Sequence, residues 1–216
     1  MGTTGVAMAD ELDLAVSYVT GVLAGGVERD WAGPAGRLEW SCAVTVEHVG
    51  QALMHWASQL AVRADTRYVR WRSQVQEGAP PEGMIDFLEA GGRILALVAR
   101  ATPPDVRAFH PWGIADADGF AGMGCLEVLL HGKDLADGLG LAYEPPYEVC
   151  QKVFQRMFAQ HADQAAGADP WAALQWASGR GELDGLPRLT EWKWRATPLD
   201  ETWDPSPTPA PMRFTP

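Results

Sequence analysis

Basic residues are scarce in this sequence. Lysine and arginine together number 17 against 28 aspartates and glutamates, so the 216-residue chain has a formal net charge of −11. No stretch gathers lysine and arginine into the positive patch that binding to phosphate groups requires. The composition therefore argues against nucleic acid as a partner.

Cysteine is rare as well, and long hydrophobic runs are absent from the sequence. Cys42, Cys125 and Cys150 are widely spaced and form no C-x-x-C pair, which argues against a redox motif or a cysteine-based structural zinc site. The first residues, MGTTGVAMADELDLAV, lack the basic start and apolar run of a signal peptide. No segment approaches the ~18 apolar residues of a membrane span. We predict a cytoplasmic protein that does not bind membranes.

Apolar residues are present in the proportion expected of a folded protein. They make up 47% of the chain, and charged residues make up 21%, which is far from a disordered composition. Apolar side chains recur with the period of an α-helix in four long segments, about residues 9–23, 41–60, 84–101 and 120–139. This pattern predicts an all-α fold.

The remainder of the chain has a different character. Two shorter helical segments, about residues 145–162 and 169–180, precede LTEWKWRA (residues 189–196), whose alternation of apolar and polar residues predicts a strand. The Pro-rich end has little to bury and is expected to be extended or disordered. The predicted boundaries are 1–145 for a helical metal-binding domain, 146–203 for an extension of short helices with one or two strands, and 204–216 for the tail.

The stretch CLEVLLHGKDLADGLG, residues 125–140, carries polar residues beside its apolar ones. Glu127 and His131 are four positions apart and therefore share one helix face, with Cβ atoms ~5–6 Å apart. His48 lies beside the apolar stripe of the second helix and completes a set of ligands if the second and fourth helices are neighbours. Two imidazoles and a carboxylate around a divalent ion leave positions open, as in catalytic sites. Zinc is the first choice, and Fe(II), Ni(II) or Mn(II) suit the same ligands.

These residues also have ordinary structural explanations. His48 could be a hydrogen-bonded histidine at the edge of the core, and Glu127 could form a weak surface pair with His131 or Lys133. Asp134 could be an exposed acid near a helix end.

The flanking leucines favour a metal site over these explanations. Burial of Leu126 and Leu130 brings Glu127 to the rim of the core. A charged carboxylate costs several kcal/mol there unless it is paired, and a cation would compensate it. His55 lies about 10.5 Å further along the helix axis than His48. It cannot share the ion, so we assign His55 and His161 to surface or core packing.

One further stretch, LEWSCAVTVEHVGQAL, resembles a known helix motif. It is similar to the second helix of the DinB-like family, which includes the N-terminal domain of mycothiol-dependent maleylpyruvate isomerases. In that family a tryptophan precedes a metal-binding histidine by eight residues. The corresponding residues here are Trp40 and His48.

The second motif, CLEVLLHGKDLADGLGL, resembles the E-x-x-x-H-G-x-D-L-A-x-A-x-G block of the same family. Glu127 and His131 occupy its metal-ligand positions, and Asp134 occupies the acidic position after them. The resemblance covers about residues 10–145, and WAALQWASGR is similar to the start of the family's C-terminal region. The chain after residue 180 is too short for the complete C-terminal domain, so maleylpyruvate isomerase activity itself is not implied.

The resemblance implies both a fold and a reaction. The implied fold is a four-helix bundle with the metal at one end, and the implied reaction is transfer or isomerisation with mycothiol or a similar thiol on a small electrophilic substrate. Coordination lowers the pKa of a thiol, which is ~8.5 when free, and so creates a nucleophile at neutral pH. Asp134 is the predicted catalytic residue, which would orient an imidazole or carry a proton. Trp40, His110 and Trp112 are the predicted walls of the substrate pocket.

Two other classes of function stay open at this point. One is a metal-dependent hydrolase or lyase, which would use metal-bound hydroxide and need no thiol. The other is a non-catalytic DinB-like binding or stress protein. An enzyme is the favoured interpretation, and a homodimer is compatible with the sequence.

Overall fold

Helices make up most of the described chain, which is residues 7–205 of a computed structural model. The α-helices are α1 (Ala7–Ala24), α2 (Cys42–Val62), α3 (Pro81–Ala101), α4 (Ala117–Leu139), α5 (Tyr147–Met157) and α6 (Pro170–Ala177). The predicted all-α fold is confirmed. The DinB-like arrangement and the boundaries at 145 and 203 stay predictions, and the predicted tail lies outside the described residues from position 206 onward.

The four long helices pack around a shared apolar core. Helices α1 and α2 each contact both α3 and α4. Leu12 of α1, Leu53 of α2, Leu95 of α3 and Leu129 of α4 are fully buried within this core. Helices α5 and α6 add to the same core, for example through Trp176. The condition for the predicted site, contact between α2 and α4, is therefore met.

Caps determine where the two site-bearing helices begin and end. Ser41 caps α2, since its side chain accepts a hydrogen bond from the amide of Val44. Asp116 caps α4 by accepting from the amide of Gly119. Helix α4 ends at Gly140, whose φ of 67° is readily adopted by a residue without a Cβ.

The predicted strand over residues 189–196 is wrong. This segment is irregular and forms no strand or bridge within residues 7–205. The alternation is real, because Trp194 and Ala196 are buried on one side. The segment packs against helices instead, and its backbone bonds to groups of the α5 region: the Arg195 amide donates to the Met157 carbonyl, and the Lys193 carbonyl accepts from Gln160. Those bonds satisfy polar groups that a sheet would otherwise pair.

Within residues 7–205, every helix is too short or too polar to traverse the apolar part of a bilayer.

Asp13 of α1 joins two arginines of α3. Its carboxylate accepts from Arg93 at 2.8 Å and from Arg100 at 2.6 Å. Burial acts to raise the pKa of Asp13, but the hydrogen bonds and charges of the two arginines hold it below its ordinary 3.8. As the pH falls, the Asp13 carboxylate therefore takes up a proton in the unfolded chain at a higher pH than it does in the folded protein. The stability contributed by Asp13 is present above the unfolded pKa and is lost as the pH falls through the lower folded-state pKa.

We expect Asp13→Asn to reduce the free energy of unfolding at pH 7 and to flatten its decline between about pH 5 and about pH 2. Urea denaturation at a series of pH values measures both effects. Asp163→Asn, which changes an exposed carboxylate elsewhere, is the matched control. Parallel pH profiles for wild type and Asp13→Asn would show that this carboxylate does not link folding to protons.

Candidate metal centre

Three side chains from two helices meet at one point. His48 projects from α2, and Glu127 and His131 project from α4. Glu127 Oε1 lies 2.8 Å from His48 Nε2 and 3.5 Å from His131 Nε2. One candidate ligand atom from each of the three residues lies within 4.8 Å of those of the other two. The predicted convergence is observed, and metal binding by these residues stays a prediction.

The geometry fits a small divalent cation. Tetrahedral coordination at bond lengths of about 2.0–2.1 Å places neighbouring ligand atoms about 3.3 Å apart. The two separations from Glu127 Oε1, 2.8 Å and 3.5 Å, bracket that value, and all three ligand atoms lie within 4.8 Å of one another. The His131 and Glu127 side chains are only 13% and 22% exposed, whereas that of His48 is 40% exposed. The site is therefore enclosed on the α4 side and accessible to a small molecule on the His48 side.

Two of the alternative contacts are present, because Glu127 Oε1 lies 3.5 Å from His131 Nε2 and 2.8 Å from His48 Nε2. The other two alternatives do not fit the structure. Lys133 does not pair with Glu127, because its ammonium group contacts both carboxylate oxygens of Asp137 at 2.6 Å. The Asp134 side chain is 13% exposed and is held in two ion pairs, so it is not a free surface acid. Both acids on the site face of α4 are therefore engaged with the histidines.

The Glu127 carboxylate is ionised despite its surroundings. Burial acts to raise the pKa of Glu127, but the hydrogen bond from His48 and the positive charges of His131 and Arg180 lower it overall. An ionised carboxylate between two imidazoles is the form that binds a cation.

Asp134 and Arg180 fix the orientation of His131. Asp134 Oδ2 lies 3.0 Å from His131 Nδ1 and 2.6 Å from Arg180 Nη1. Burial acts to raise the pKa of Asp134, but the hydrogen bonds from and charges of His131 and Arg180 lower it below 3.8. A charged carboxylate on Nδ1 holds the proton there and turns Nε2 toward Glu127. Such support of a ligating histidine is usual at metal sites.

Sequence reasoning missed Arg180. It follows α6, far along the chain from the ligands, and no helical period links it to Asp134. The one available signal is WAALQWASGR, which ends at Arg180 and is similar to the start of the family's C-terminal region. The C-terminal extension therefore contributes directly to the surroundings of the site.

Of the three predicted wall residues, Trp40 is the one with a ring contact to a proposed ligand within residues 7–205. The Trp40 ring is 4.9 Å from the His48 ring, so Trp40 borders the site. The His110 ring is 4.9 Å from Trp194, and burial lowers the pKa of His110 to about 3 although the Glu127 charge acts to raise it. The Trp112 ring lies 6.1 Å from that of His110.

The two histidines assigned to packing also have defined surroundings. The His55 ring is 4.9 Å from the Tyr68 ring, and burial lowers the pKa of His55. The His161 ring is 5.2 Å from that of Trp176, and its Nδ1 lies 2.7 Å from Gln164 Oε1. His161 is therefore a packing residue, whereas His55 lies in a cleft that also reaches His48.

Relatives were sought by comparing the chain with protein families, curated proteins and solved structures. None of the three comparisons found a match. A function for this protein therefore has to be inferred from the side chains of the site and from the two sequence motifs.

Proposed function

We propose that this protein is a DinB-like, metal-dependent enzyme that uses a low-molecular-weight thiol of the mycothiol type. In this proposal it transfers the thiol to a small electrophilic substrate or uses the thiol to isomerise that substrate. The observation that carries the proposal is the meeting of His48, Glu127 and His131 at a site with one accessible side. The two motifs that contain these residues support it.

The proposed ligands are His48 Nε2, Glu127 Oε1 and His131 Nε2, which suit Zn²⁺ best and also suit Fe(II), Ni(II) or Mn(II). The bound ion would act as a Lewis acid that lowers the pKa of a thiol, from ~8.5 in the free form, to below neutrality. The protein's part is to bring the three ligand atoms together and to leave the His48 side accessible.

Asp134 has an orienting role in this proposal. The same oxygen, Oδ2, faces both His131 and Arg180, so a proton placed there would weaken both contacts. This geometry supports orientation of His131 rather than transfer of a proton to the substrate. His110 is neutral at pH 7 because burial lowers its pKa to about 3. A histidine with so low a pKa is a weak base, which supports a role for His110 in the pocket wall.

The experiment that tests the proposal measures the dependence of turnover on thiol. Zinc-loaded protein is given mycothiol and monochlorobimane, so that an S–C bond forms while the C–Cl bond breaks and chloride and a proton leave. We expect the rate to saturate with thiol concentration, because the thiol occupies a site on the protein. We expect His131→Ala to reduce the rate to that of the uncatalysed reaction.

The control is His161→Ala, which removes a histidine that packs against Trp176 far from the ligands. This variant should keep the wild-type rate. Turnover of ester or amide substrates at a rate indifferent to thiol would replace the proposal with a hydrolase. Bound metal without any turnover would favour a binding protein.

A further inference from the structure

A cleft opens beside His48, on the accessible side of the candidate metal centre. Its volume is about 270 Å³, and it lies between one face of α2 and the extended segment 68–73. His48, His55 and Trp56 line it from α2. Because these positions are seven and eight residues apart, they share one helix face. The cleft therefore runs along α2 and ends at a proposed metal ligand.

The walls of the cleft are rich in aromatic rings. Trp56 lies on the helix side, and Tyr68 and Trp71 lie on the opposite side. Trp71 is 38% exposed, and Trp40, on the other flank of His48, is 46% exposed. Large aromatic side chains left in contact with water beside a concave site are typical of surfaces that receive a ligand. Flat aromatic walls favour a flat ligand, because stacked and edge-to-face ring contacts are both available.

A single guanidinium group lies at the rim. Arg72 lines the cleft and is exposed. No carboxylate among residues 7–205 forms an ion pair with it. A free guanidinium in a chain of net charge −11 is a suitable partner for a carboxylate, which it can bind with two parallel hydrogen bonds.

We propose that this aromatic cleft binds the planar part of the substrate, and that the substrate is an aryl electrophile with an acidic substituent. The rings of Trp56, Tyr68 and Trp71 contact the aryl group, Arg72 pairs with the acid, and the reactive carbon faces His48. The volume accommodates a small ring system rather than a large cofactor, because sites for drug-sized ligands occupy about 300–1,000 Å³. The inference rests on the proposed function for its chemistry, whereas binding in the cleft does not require the metal.

The first test uses 4-nitrobenzoate as a probe. Binding of 4-nitrobenzoate to the full chain, loaded with Zn²⁺, is followed by NMR titration. We expect Trp71→Ala to weaken binding about 3- to 10-fold through the loss of ring contact. We expect Trp71→Phe to restore most of that loss. Arg72→Gln should weaken binding of 4-nitrobenzoate about 2- to 5-fold, as for an exposed ion pair, and leave binding of uncharged 4-nitrobenzyl alcohol unchanged.

Matched controls separate the cleft from general effects. Tyr147→Ala removes an exposed aromatic ring from α5, outside the cleft, and Arg29→Gln removes an exposed arginine from the segment after α1. Both variants should bind 4-nitrobenzoate as the wild type does. Cyclohexanecarboxylate, which carries the acid but no flat ring, should bind at least about 3-fold more weakly than 4-nitrobenzoate. Equal binding by Trp71→Ala and Tyr147→Ala, or equal binding of the two acids, would overturn the proposal.

A second measurement distinguishes failure of the cleft from failure of the metal site. In protein loaded with Co(II), the proton resonances of bound 4-nitrobenzoate should broaden, because the cleft ends at His48. If the protein holds no metal but Trp71→Ala still weakens binding, the ligand class of the cleft stands and the proposed enzyme fails. If metal is bound and 4-nitrobenzoate binds without broadening, the cleft does not serve the site and the inference is wrong.

Discussion

His131→Ala is expected to reduce the affinity of the protein for Zn²⁺ by more than about 100-fold. Loss of a residue that only hydrogen-bonds to a metal ligand usually costs about 10- to 100-fold. The wild type should bind one equivalent. The physical reason is that His131 Nε2 supplies one of three ligand atoms that lie within 4.8 Å of one another, and the group contains no fourth residue within the described part of the chain. Metal analysis of the purified protein and competition with a chromophoric chelator measure the change.

A graded series strengthens this prediction. Asp134→Asn keeps all three ligands but removes the charge that faces His131 Nδ1 and Arg180, so we expect an intermediate loss of about 10- to 100-fold. Arg180→Gln should also lower the affinity for Zn²⁺, because Arg180 pairs with the same oxygen of Asp134. His161→Ala should match the wild type. Equal and negligible metal content in the wild type and His131→Ala after re-addition of Zn²⁺ would remove the metal site.

The second large effect is expected at Gly138, where α4 passes close to the segment that leads into α2. A Cβ on residue 138 would lie 2.5 Å from the carbonyl oxygen of Pro34 and 2.7 Å from Cys42 Sγ. Neither neighbour is the free end of a flexible side chain. Gly138→Ala should therefore force the loop and the start of α2 away from α4, and lower the free energy of unfolding by about 1–3 kcal/mol.

The same substitution in α1 provides the matched control. An added Cβ at Gly21 would meet nothing within 4 Å. Gly21→Ala should therefore raise the free energy of unfolding by up to about 1 kcal/mol through helix propensity alone. Urea denaturation of both variants measures the two changes, which should have opposite signs. A stabilising Gly138→Ala would show that α4 does not pack against this loop as described.

Local patterns predicted the parts of this protein that depend on neighbouring residues. Helical periodicity located α1 to α6 within a few residues. Glu127 and His131 share a face because residues four apart on any α-helix do so. The same reasoning failed at 189–196, where alternation correctly marked which side chains are buried but could not show that no strand lies alongside.

Apolar periodicity is sufficient to predict the helices, and the four-residue spacing is sufficient to place Glu127 beside His131. Three contacts become known only from the folded chain: His48 reaches Glu127, Arg180 supports His131 through Asp134, and Trp71 lines a cleft beside the site. Those contacts join residues far apart in the chain, and they depend on how α2, α4 and the C-terminal extension pack. Helix packing depends on the shapes of all the side chains in the core, and the spacing of apolar residues along one helix does not predict it.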